Sequence, residues 1–270
     1  MITPKKHLGQ NFLRDQNTAR KIAASLRAGP EDRVIEIGAG TGAMTRFLAE
    51  KFQNFVAVEI DSRAIEHLNE ALPNVSVVAG DILTCSYAEL SGGADEVYVI
   101  GNLPYYLTSE IIFRLLDESD YIREAVFMMQ YEVAQRLIAV PRTKEYGILS
   151  VAIQLACKPE LLFPVSRNVF FPKPDVRSAV VRLTFPEPIS ATESDSANTV
   201  GFLDGNLDPM LVRRVIRTAF NQRRKTLRNS LKNLSIEWSS AVPEHFAGCR
   251  AEELEPKDFI ELTRYLLTRL

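Results

Sequence analysis

The segment Asn102-Leu103-Pro104-Tyr105 carries residue types that suit chemistry on an amino group attached to an aromatic ring. That nitrogen is a poor nucleophile because its lone pair is delocalised into the ring. If the Asn102 side-chain oxygen and a backbone carbonyl of Leu103 or Pro104 each accept one of its N–H bonds, the nitrogen is drawn toward tetrahedral geometry and its developing positive charge is stabilised. Tyr105 offers a ring on which a flipped base can stack. A loop that merely caps a strand is the alternative.

A second set of candidate residues precedes this segment. Glu36 leads into a turn that contains Gly38 and Gly40, and glycine lets the backbone approach a nucleoside-type ligand without Cβ clashes. Glu59 can accept hydrogen bonds from ribose hydroxyls, and Asp81 can accept one from an adenine amino group. Each follows a β-forming run, so a nucleoside lying along one sheet edge reaches all of them.

The glycine-rich turn also leaves an alternative cofactor open. Gly38, Gly40 and Ala43 satisfy the dinucleotide fingerprint G-x-G-x-x-G/A, and Glu59 lies about 20 residues on, where a ribose-binding acid belongs. A nicotinamide-dependent dehydrogenase is therefore a rival interpretation, and glycines that only tighten a turn are another. The polar residues at the ends of four successive strands favour a nucleoside ligand that lies along the edge and uses all four.

Elements that position these residues alternate along the first half of the chain. We predict strands at Arg33–Ile37, Phe55–Glu59, Val75–Ala79, Val97–Gly101 and Ala125–Met129. Helices are expected at Asp15–Leu26, Met44–Lys51, Ser62–Ala71 and Ser109–Asp117. This alternation predicts a parallel α/β sheet, which two further strands near Leu149–Leu155 and Ser178–Phe185 close in antiparallel fashion.

The C-terminal part has a different, wholly helical pattern. Residues Pro186–Val200 are polar and resemble a linker, and amphipathic helices are expected at Met210–Phe220, Arg224–Leu234 and Pro256–Leu267. We therefore predict a catalytic domain at residues 1–188 and a small all-helical domain at residues 200–270.

The motifs resemble those of one enzyme family. Asn102-Leu103-Pro104-Tyr105 is similar to the N-[PL]-P-[YF] signature of methyltransferases that act on adenine, and the likeness extends over nearly the whole chain to the small-subunit ribosomal RNA adenine dimethyltransferases, the KsgA type. Residues 7–13 resemble the Q-N-F-L element of that family, and residues 169–178 resemble its F-x-P-x-P-x-V-x-S loop, with Asp175 and Arg177 in swapped charge order. The resemblance implies a Rossmann-like, seven-stranded class I methyltransferase sheet.

The same resemblance assigns roles to further residues. It implies that Asn11 and Leu13 contact the cofactor S-adenosylmethionine and that Phe170 packs on the target base. Glu36 and Asn102, at the ends of two predicted strands, are candidate cofactor-binding residues as well. The resemblance also implies that the helical domain contacts ribosomal RNA. Candidate RNA-binding residues there are Arg213, Arg214, Arg217, Arg223, Arg224, Lys225 and Arg228.

The charge of the whole chain bears on this RNA site. A net charge of −2 does not indicate a nucleic-acid partner, so RNA affinity must come from a local surface. The basic residues above are opposed nearby in sequence only by Asp204 and Asp208. A solvated helix face is the alternative interpretation.

By resemblance, the expected function is dimethylation of two adjacent adenosines in the 3′-terminal hairpin of 16S rRNA, within the assembling 30S subunit. Alternatives are a 23S rRNA methyltransferase and a non-catalytic assembly factor. Three histidines and three scattered cysteines indicate neither a metal site nor a disulfide framework. The N-terminus lacks a secretory signal, so we expect a cytoplasmic protein without a membrane span, acting as a monomer.

Overall fold

The computed structural model describes residues 2–5, 8–186, 207–238 and 241–267. The chain forms two compact units. The first comprises Met1–Ala134 and Pro159–Glu193, and the second comprises Gln135–Lys158 and Ser194–Leu270. Residues 187–200 of the predicted linker lie outside the described residues.

The first unit is built on a seven-stranded sheet. The strands of the chain are β1 Phe12–Leu13, β2 Arg33–Ile37, β3 Asn54–Glu59, β4 Ser76–Ala79, β5 Val97–Asn102, β6 Ile122–Gln130, β7 Lys158–Val165, β8 Phe170–Phe171 and β9 Ser178–Thr184. Their order in the sheet is β4-β3-β2-β5-β6-β9-β7, while β1 and β8 form a separate antiparallel pair. The strands β2 to β6 run parallel, and β9 is antiparallel to β6. The predicted seven-stranded α/β sheet is confirmed.

Helices cover the connections between the parallel strands. In the first unit they are α1 Gln16–Ala24, α2 Thr45–Lys51, α3 Ser62–Ala71, α4 Tyr87–Leu90 and α5 Thr108–Asp117, and α6 Tyr131–Leu137 leads into the second unit. Asp15 caps α1 as the sequence predicts, since its carboxylate accepts a hydrogen bond from the Thr18 N–H over 2.6 Å. Val34 and Ile35 of β2 are fully buried, as expected for a central parallel strand.

One predicted strand is wrong. Residues 149–155 lie in helix α7, Ile148–Ala156, which packs into the core of the second unit. Only Ser150 and Gln154 interrupt its apolar run, and six of its nine residues are buried, so it lacks the broad polar stripe that marks a surface helix. A short apolar run of this kind cannot be distinguished from a buried strand by periodicity.

The sheet gains its seventh strand from an unpredicted segment. Strand β7 contains Pro159 and Pro164, which usually argue against a strand because proline cannot donate to the hydrogen-bond ladder. Since β7 is the last strand in the order, it is paired on one side only and tolerates both prolines.

The second unit has its own helical core. Its remaining helices are α8 Pro209–Asn221, α9 Leu227–Ser230, α10 Lys232–Glu237, α11 Glu244–Ala247 and α12 Pro256–Leu267. The predicted helix at Arg224–Leu234 is interrupted at Leu231, which ends α9. The inserted segment 135–158 contributes Tyr146, whose hydroxyl donates to the Leu254 carbonyl over 2.8 Å. Among the described residues, no helix is long and apolar enough to cross a membrane.

Candidate active site

A cleft opens at the carboxyl edge of strands β2 to β5, where open α/β sheets bind ligands. The sequence-predicted residues that line it are Asn11, Gly38, Gly40, Glu59, Asp81, Asn102, Leu103, Pro104 and Tyr105. Three other predicted residues, Leu13, Glu36 and Phe170, do not line this cleft. The strand ends therefore bring most of the predicted site together.

The Glu59 carboxylate at the end of β3 is buried and strongly held. One oxygen accepts a hydrogen bond from the Gly40 N–H over 2.8 Å, and the other accepts from the N–H groups of Ile60 and Asp61, each over 2.9 Å. A carboxylate has about four acceptor positions, so about one remains for a ligand hydroxyl. These contacts fix the carboxylate at the cleft wall.

The turn after β2 leaves space that side chains would fill. Gly38 and Gly40 have φ values of 69° and 56°, in the left-handed region that favours glycine. A Cβ atom at Gly40 would lie 3.3 Å from the Phe12 ring, which belongs to strand β1. The turn therefore forms a backbone cradle of the kind that a nucleoside-containing cofactor requires.

Glu36 lies in a smaller cavity beside the cleft. This cavity includes Leu13 and shares Gly38, Gly40 and Asn102 with the cleft. The Glu36 side chain is 1% exposed, and in the described part of the chain neither carboxylate oxygen has a hydrogen-bond partner. Burial raises its pKa to about 8; the neighbouring Thr45 hydroxyl opposes the rise, and the negative charge of Glu59 adds to it. Because this raised pKa keeps Glu36 mainly protonated at neutral pH, a cationic ligand group that binds beside it would favour its ionisation.

The Asn102 side chain lies at the cleft with a defined orientation. Its amide nitrogen donates to the Asn11 backbone carbonyl over 3.1 Å. Since that contact requires the NH2 group to face Asn11, the side-chain oxygen is the atom that remains to accept a hydrogen bond from a ligand. The Asn102 oxygen therefore stays a candidate acceptor in the cleft.

The backbone carbonyls of Leu103 and Pro104 differ in whether they already accept hydrogen bonds. The Pro104 carbonyl accepts from the Leu107 N–H and from the Thr108 hydroxyl, each over 3.1 Å. The Leu103 N–H donates to the Met128 carbonyl over 3.0 Å, and its own carbonyl receives no hydrogen bond from the described residues. The Leu103 carbonyl is therefore the better candidate for the second acceptor.

Two tyrosines complete this wall of the cleft. The Tyr105 hydroxyl lies 2.6 Å from the Ser178 hydroxyl, which holds the ring in place. Burial raises the pKa of Tyr105, so the hydroxyl stays protonated at neutral pH. Tyr106, which the sequence reasoning did not single out, also lines the cleft and is 52% exposed.

Comparison with known proteins identifies the family to which this chain belongs. A model of the ribosomal RNA adenine dimethylases matches residues 1–266. This chain belongs to the ribosomal RNA adenine dimethylase family. It is 47% identical to a protein of Salinibacter ruber over 267 residues, which cover 97% of this chain and 85% of the relative. A protein of Porphyromonas gingivalis is 40% identical, with 98% of each chain covered. Both relatives are named ribosomal RNA small subunit methyltransferase A.

Solved structures agree with the family. A dimethyladenosine transferase from Plasmodium falciparum superposes with a TM-score of 0.76 at 24% identity, covering 93% of this chain and 95% of its own. The 23S rRNA methyltransferase ErmE superposes with a TM-score of 0.66 at 27% identity, covering 95% and 99%. The dimethylase is thus an enzyme with the predicted class I methyltransferase fold, and the dehydrogenase interpretation is not supported.

The dimethylase buries one aromatic that the resemblance assigned to the target base. Phe170 is 5% exposed and packs in the core, where it pairs with Leu13 between β8 and β1. Its neighbour Phe171 is 41% exposed and lies under the Arg14 guanidinium, 3.8 Å from the ring centroid. Because alternate residues of a strand face opposite sides, only one of the two rings is exposed. The predicted contact between Phe170 and a base is not supported by this arrangement.

Asp61 is a functional candidate of the dimethylase that sequence reasoning missed. Its buried carboxylate accepts from Gln10 over 2.9 Å and pairs with Lys5 over 3.2 Å and with Arg63 over 2.6 Å. The Arg63 guanidinium, with help from Gln10 and Lys5, holds the pKa of Asp61 well below its ordinary value. The sequence did offer a signal for Asp61, since this acidic residue lies just after Glu59 at the end of a predicted strand, where the other candidate residues lie. These contacts tie the N-terminal segment to the first turn of α3.

Part of the predicted RNA surface is neutralised by distant acids. Arg214 pairs with Glu237, Arg223 with Glu252, and Arg228 with Glu244. Acids distant in sequence therefore oppose these arginines in addition to the nearby Asp208, and Asp204 lies outside the described residues. In the described part of the chain, the predicted residues without an ion pair are Arg217, Arg224 and Lys225, while Arg213 keeps other contacts.

Proposed function

We propose that this dimethylase transfers methyl groups from S-adenosylmethionine to N6 of two adjacent adenosines in the 3′-terminal hairpin of 16S rRNA, twice on each, within the assembling 30S subunit. The observation that carries the proposal is the Asn102 amide, which the Asn11 carbonyl orients so that its oxygen is left for an adenine amino group. The names of the relatives from Salinibacter ruber and Porphyromonas gingivalis support the small-subunit substrate.

Residues of the cleft fit the methyl donor. The backbone cradle at Gly38 and Gly40 admits its amino-acid portion, Glu59 accepts from a ribose hydroxyl, and Asp81 accepts from the adenine amino group. One Asp81 oxygen already accepts from the Leu83 N–H over 2.9 Å, which leaves the other for the ligand. Bound S-adenosylmethionine supplies an electrophilic methyl group on a sulfonium sulfur. Glu36, which has no described hydrogen-bond partner and a raised pKa, would ionise more readily beside the positive charge of the same ligand.

The residues after β5 activate the acceptor nitrogen. The Asn102 oxygen and the Leu103 carbonyl each accept one N–H bond of the adenine amino group, which directs its lone pair toward the methyl group and stabilises positive charge on nitrogen. Removing one preorganised acceptor of this kind costs on the order of a hundredfold or more in rate. After transfer, the nitrogen loses its proton to solvent, so no strong base is required.

The tyrosine wall positions the base. A target adenine must leave its stack to reach the cleft, and the ring of Tyr105, fixed through Ser178, offers a flat apolar surface for it. Because A-form grooves hide base edges, adenines in a hairpin loop are more accessible than paired ones. The cleft therefore favours a loop substrate.

The experiment is to incubate undermethylated small ribosomal subunits with labelled S-adenosylmethionine and to identify the modified nucleoside by mass spectrometry. We expect N6,N6-dimethyladenosine with the unaltered protein and a loss of about a hundredfold or more in rate with Asn102→Ala. Absence of methylated adenosine with the unaltered protein contradicts the proposal.

Two further measurements separate the alternatives. Greater methylation of large subunits than of small subunits would identify a 23S rRNA methyltransferase. If Asn102→Ala supports subunit maturation as well as the unaltered protein and neither methylates RNA, the chain is a non-catalytic assembly factor.

A further inference from the structure

A basic depression lies outside the cleft, in the segment that follows β7. It is lined by Pro164, Val165, Ser166, Arg167, Asn168, Lys173 and Arg177. From residue 164 to residue 177 the chain carries three basic residues and one acidic residue, Asp175. We name Arg167, Lys173 and Arg177 the loop cations.

The loop cations keep their charge available to a ligand. All three are exposed, and none forms an ion pair with a described residue. This distinguishes them from the paired arginines of α8 and α9, whose charges are cancelled. Exposed cations that converge on one depression without carboxylate partners create a local positive potential.

Two of the loop cations are held in place. The Arg177 guanidinium lies over the Tyr131 ring, 4.5 Å from its centroid, and the Arg177 carbonyl accepts from the Tyr131 N–H over 2.9 Å. The Arg167 guanidinium donates to the Asp175 carbonyl over 3.3 Å. Pre-positioned donors lose less side-chain entropy when they bind a ligand.

Lys173 differs from the other two because it is free to move. It lies between Pro172 and Pro174, whose rings restrict the backbone of the loop. Its ammonium group has no described partner, so the stem can follow a ligand. Two fixed guanidinium groups beside one adaptable ammonium are typical donors for phosphate oxygens.

Strand register places the loop cations beside the catalytic edge. Asn102 at the end of β5 pairs with Met128 of β6, and Gln130 at the end of β6 pairs with Ser178. Arg177 immediately precedes Ser178, whose hydroxyl contacts Tyr105 of the catalytic wall. The depression therefore adjoins the wall on which the base is expected to stack.

We propose that the loop cations bind backbone phosphates of the RNA strand that carries the target adenosine. This site rests on the proposed function and adds a second RNA contact, within the catalytic unit, to the helical surface. The ligand is a phosphodiester group, because flexible single-stranded RNA presents phosphates close to each flipped base. Such contacts position the strand without reading its sequence.

The test measures direct binding of a fluorescent hairpin RNA at several salt concentrations, which does not depend on methyl transfer. The variants are Lys173→Gln, Lys173→Glu and the triple change of all three loop cations to glutamine. The control is Lys158→Gln, since Lys158 is an exposed residue at the opposite end of β7. A calorimetric titration with S-adenosylmethionine checks that each variant keeps its cofactor cleft.

The triple variant is expected to bind the hairpin roughly tenfold or more weakly, with a slope of log affinity against log salt that is shallower by roughly 0.7 for each phosphate lost. Lys173→Glu should weaken binding more than Lys173→Gln, and Lys158→Gln should change it little. Lys173 makes no described contact, so its two variants test the charge even if the triple variant fails to fold.

Binding and salt dependence equal to those of the unaltered protein in the Lys173→Glu and triple variants would overturn the site. Inorganic phosphate that binds the unaltered protein more tightly than the triple variant, with equal hairpin affinity in the two proteins, would assign the depression to free phosphate and likewise overturn the site. Failure of the proposed function would give a different result: the RNA would bind but would not be methylated on adenine. Lack of any binding by the unaltered protein contradicts both.

Discussion

The Gln10 side chain donates a hydrogen bond to the Asp61 carboxylate over 2.9 Å, so the segment that precedes β1 is tied to the start of α3. The other end of the Gln10 amide accepts from the Lys5 N–H over 2.8 Å. Gln10 also lines the cleft, beside Asn11, whose carbonyl orients Asn102. The buried Asp61 carboxylate is thereby linked through the N-terminal segment to Asn102, the candidate hydrogen-bond acceptor.

Asp61→Asn should loosen this segment and weaken cofactor binding by about tenfold, equivalent to about 1.4 kcal/mol. Asparagine caps a helix as well as aspartate does, so the start of α3 is preserved while the ion pairs with Lys5 and Arg63 are lost. Calorimetric titration with S-adenosylmethionine gives the affinity, and hydrogen exchange over residues 8–13 reports the loosening.

The matched control for Asp61→Asn is Asp208→Asn, because Asp208 caps α8 through the Met210 N–H over 2.8 Å. It should leave cofactor affinity unchanged. The pKa of Asp61 is lowered, so its contacts are fully present above the ordinary aspartate pKa and are lost only as the pH falls through the lower native value. If Asp61→Asn binds S-adenosylmethionine as tightly as the unaltered protein, the contacts of Asp61 do not support cofactor binding and the prediction is wrong.

Glu36 should make stability fall as the pH rises. Its pKa is raised to about 8 in the native state, so the unfolded chain loses the proton first and the native state becomes less stable between the ordinary glutamate pKa and about pH 8. The slope is roughly 1.4 kcal/mol per pH unit. Glu36→Gln removes this titration and should therefore be more stable than the unaltered protein at pH 8, with a smaller difference at pH 5.

Urea unfolding at the two pH values measures the effect of Glu36→Gln. Glu50→Gln, at an exposed position of α2, serves as the control and should change the free energy of unfolding little at either pH. If the stability difference of Glu36→Gln is the same at pH 5 and pH 8, the native carboxyl does not have a raised pKa.

The predictable part of the fold is the part with clear local signals. Helix α3 begins after the capping residue Asp61 and ends where its amphipathic pattern stops, and α12 begins at Pro256, a favoured first residue. Both helices match their predicted bounds. The mainly apolar sequence of α7 lacks such an amphipathic pattern because most of the helix is buried. The prolines of β7 argue against a strand, and only the assembled sheet shows that β7 lies at an edge, where proline is tolerated.

The site shows the same division between local and long-range information. Glu59, Asp81 and Asn102 were predictable because strand ends collect at one edge of a parallel sheet. The contact between Asn102 and Asn11 joins residues 91 positions apart, so no local pattern encodes it. The burial of Phe170 likewise depends on its pairing with Leu13.

Leu103 should influence how far methylation proceeds. A second methyl transfer requires the pocket to hold an amino group that already carries one methyl, so leucine in place of a second proline leaves room at this turn. Leu103→Pro also removes the hydrogen bond from the Leu103 N–H to the Met128 carbonyl, which costs about 1 kcal/mol of stability. We expect a higher ratio of monomethyl to dimethyl product, measured by mass spectrometry of the RNA nucleosides.

The control for this prediction is Leu103→Ala, which keeps the N–H donor and removes buried side-chain volume. It separates the effect of the lost hydrogen bond from that of the side chain. An unaltered product ratio in Leu103→Pro rules out the role of Leu103 in the second transfer.

The ion pairs of the second unit divide its arginines into two testable groups. Arg217, Arg224 and Lys225 carry charges that no described acid cancels, whereas Arg214 and Arg228 face Glu237 and Glu244. Changing the first three residues to glutamine should weaken binding of undermethylated small subunits by roughly tenfold or more and make the salt dependence shallower. Changing Arg214 and Arg228 to glutamine should have a smaller effect, because exposed ion pairs contribute little to stability and their charges are already neutralised.

Binding of both variants is measured across a salt series, with thermal unfolding as the check on folding. If both variants weaken binding equally for each charge removed, the RNA breaks the ion pairs and binds the paired arginines as readily as the unpaired residues. That result would contradict the division into two groups. A weaker effect in the paired group instead places the RNA-binding surface at Arg217, Arg224 and Lys225.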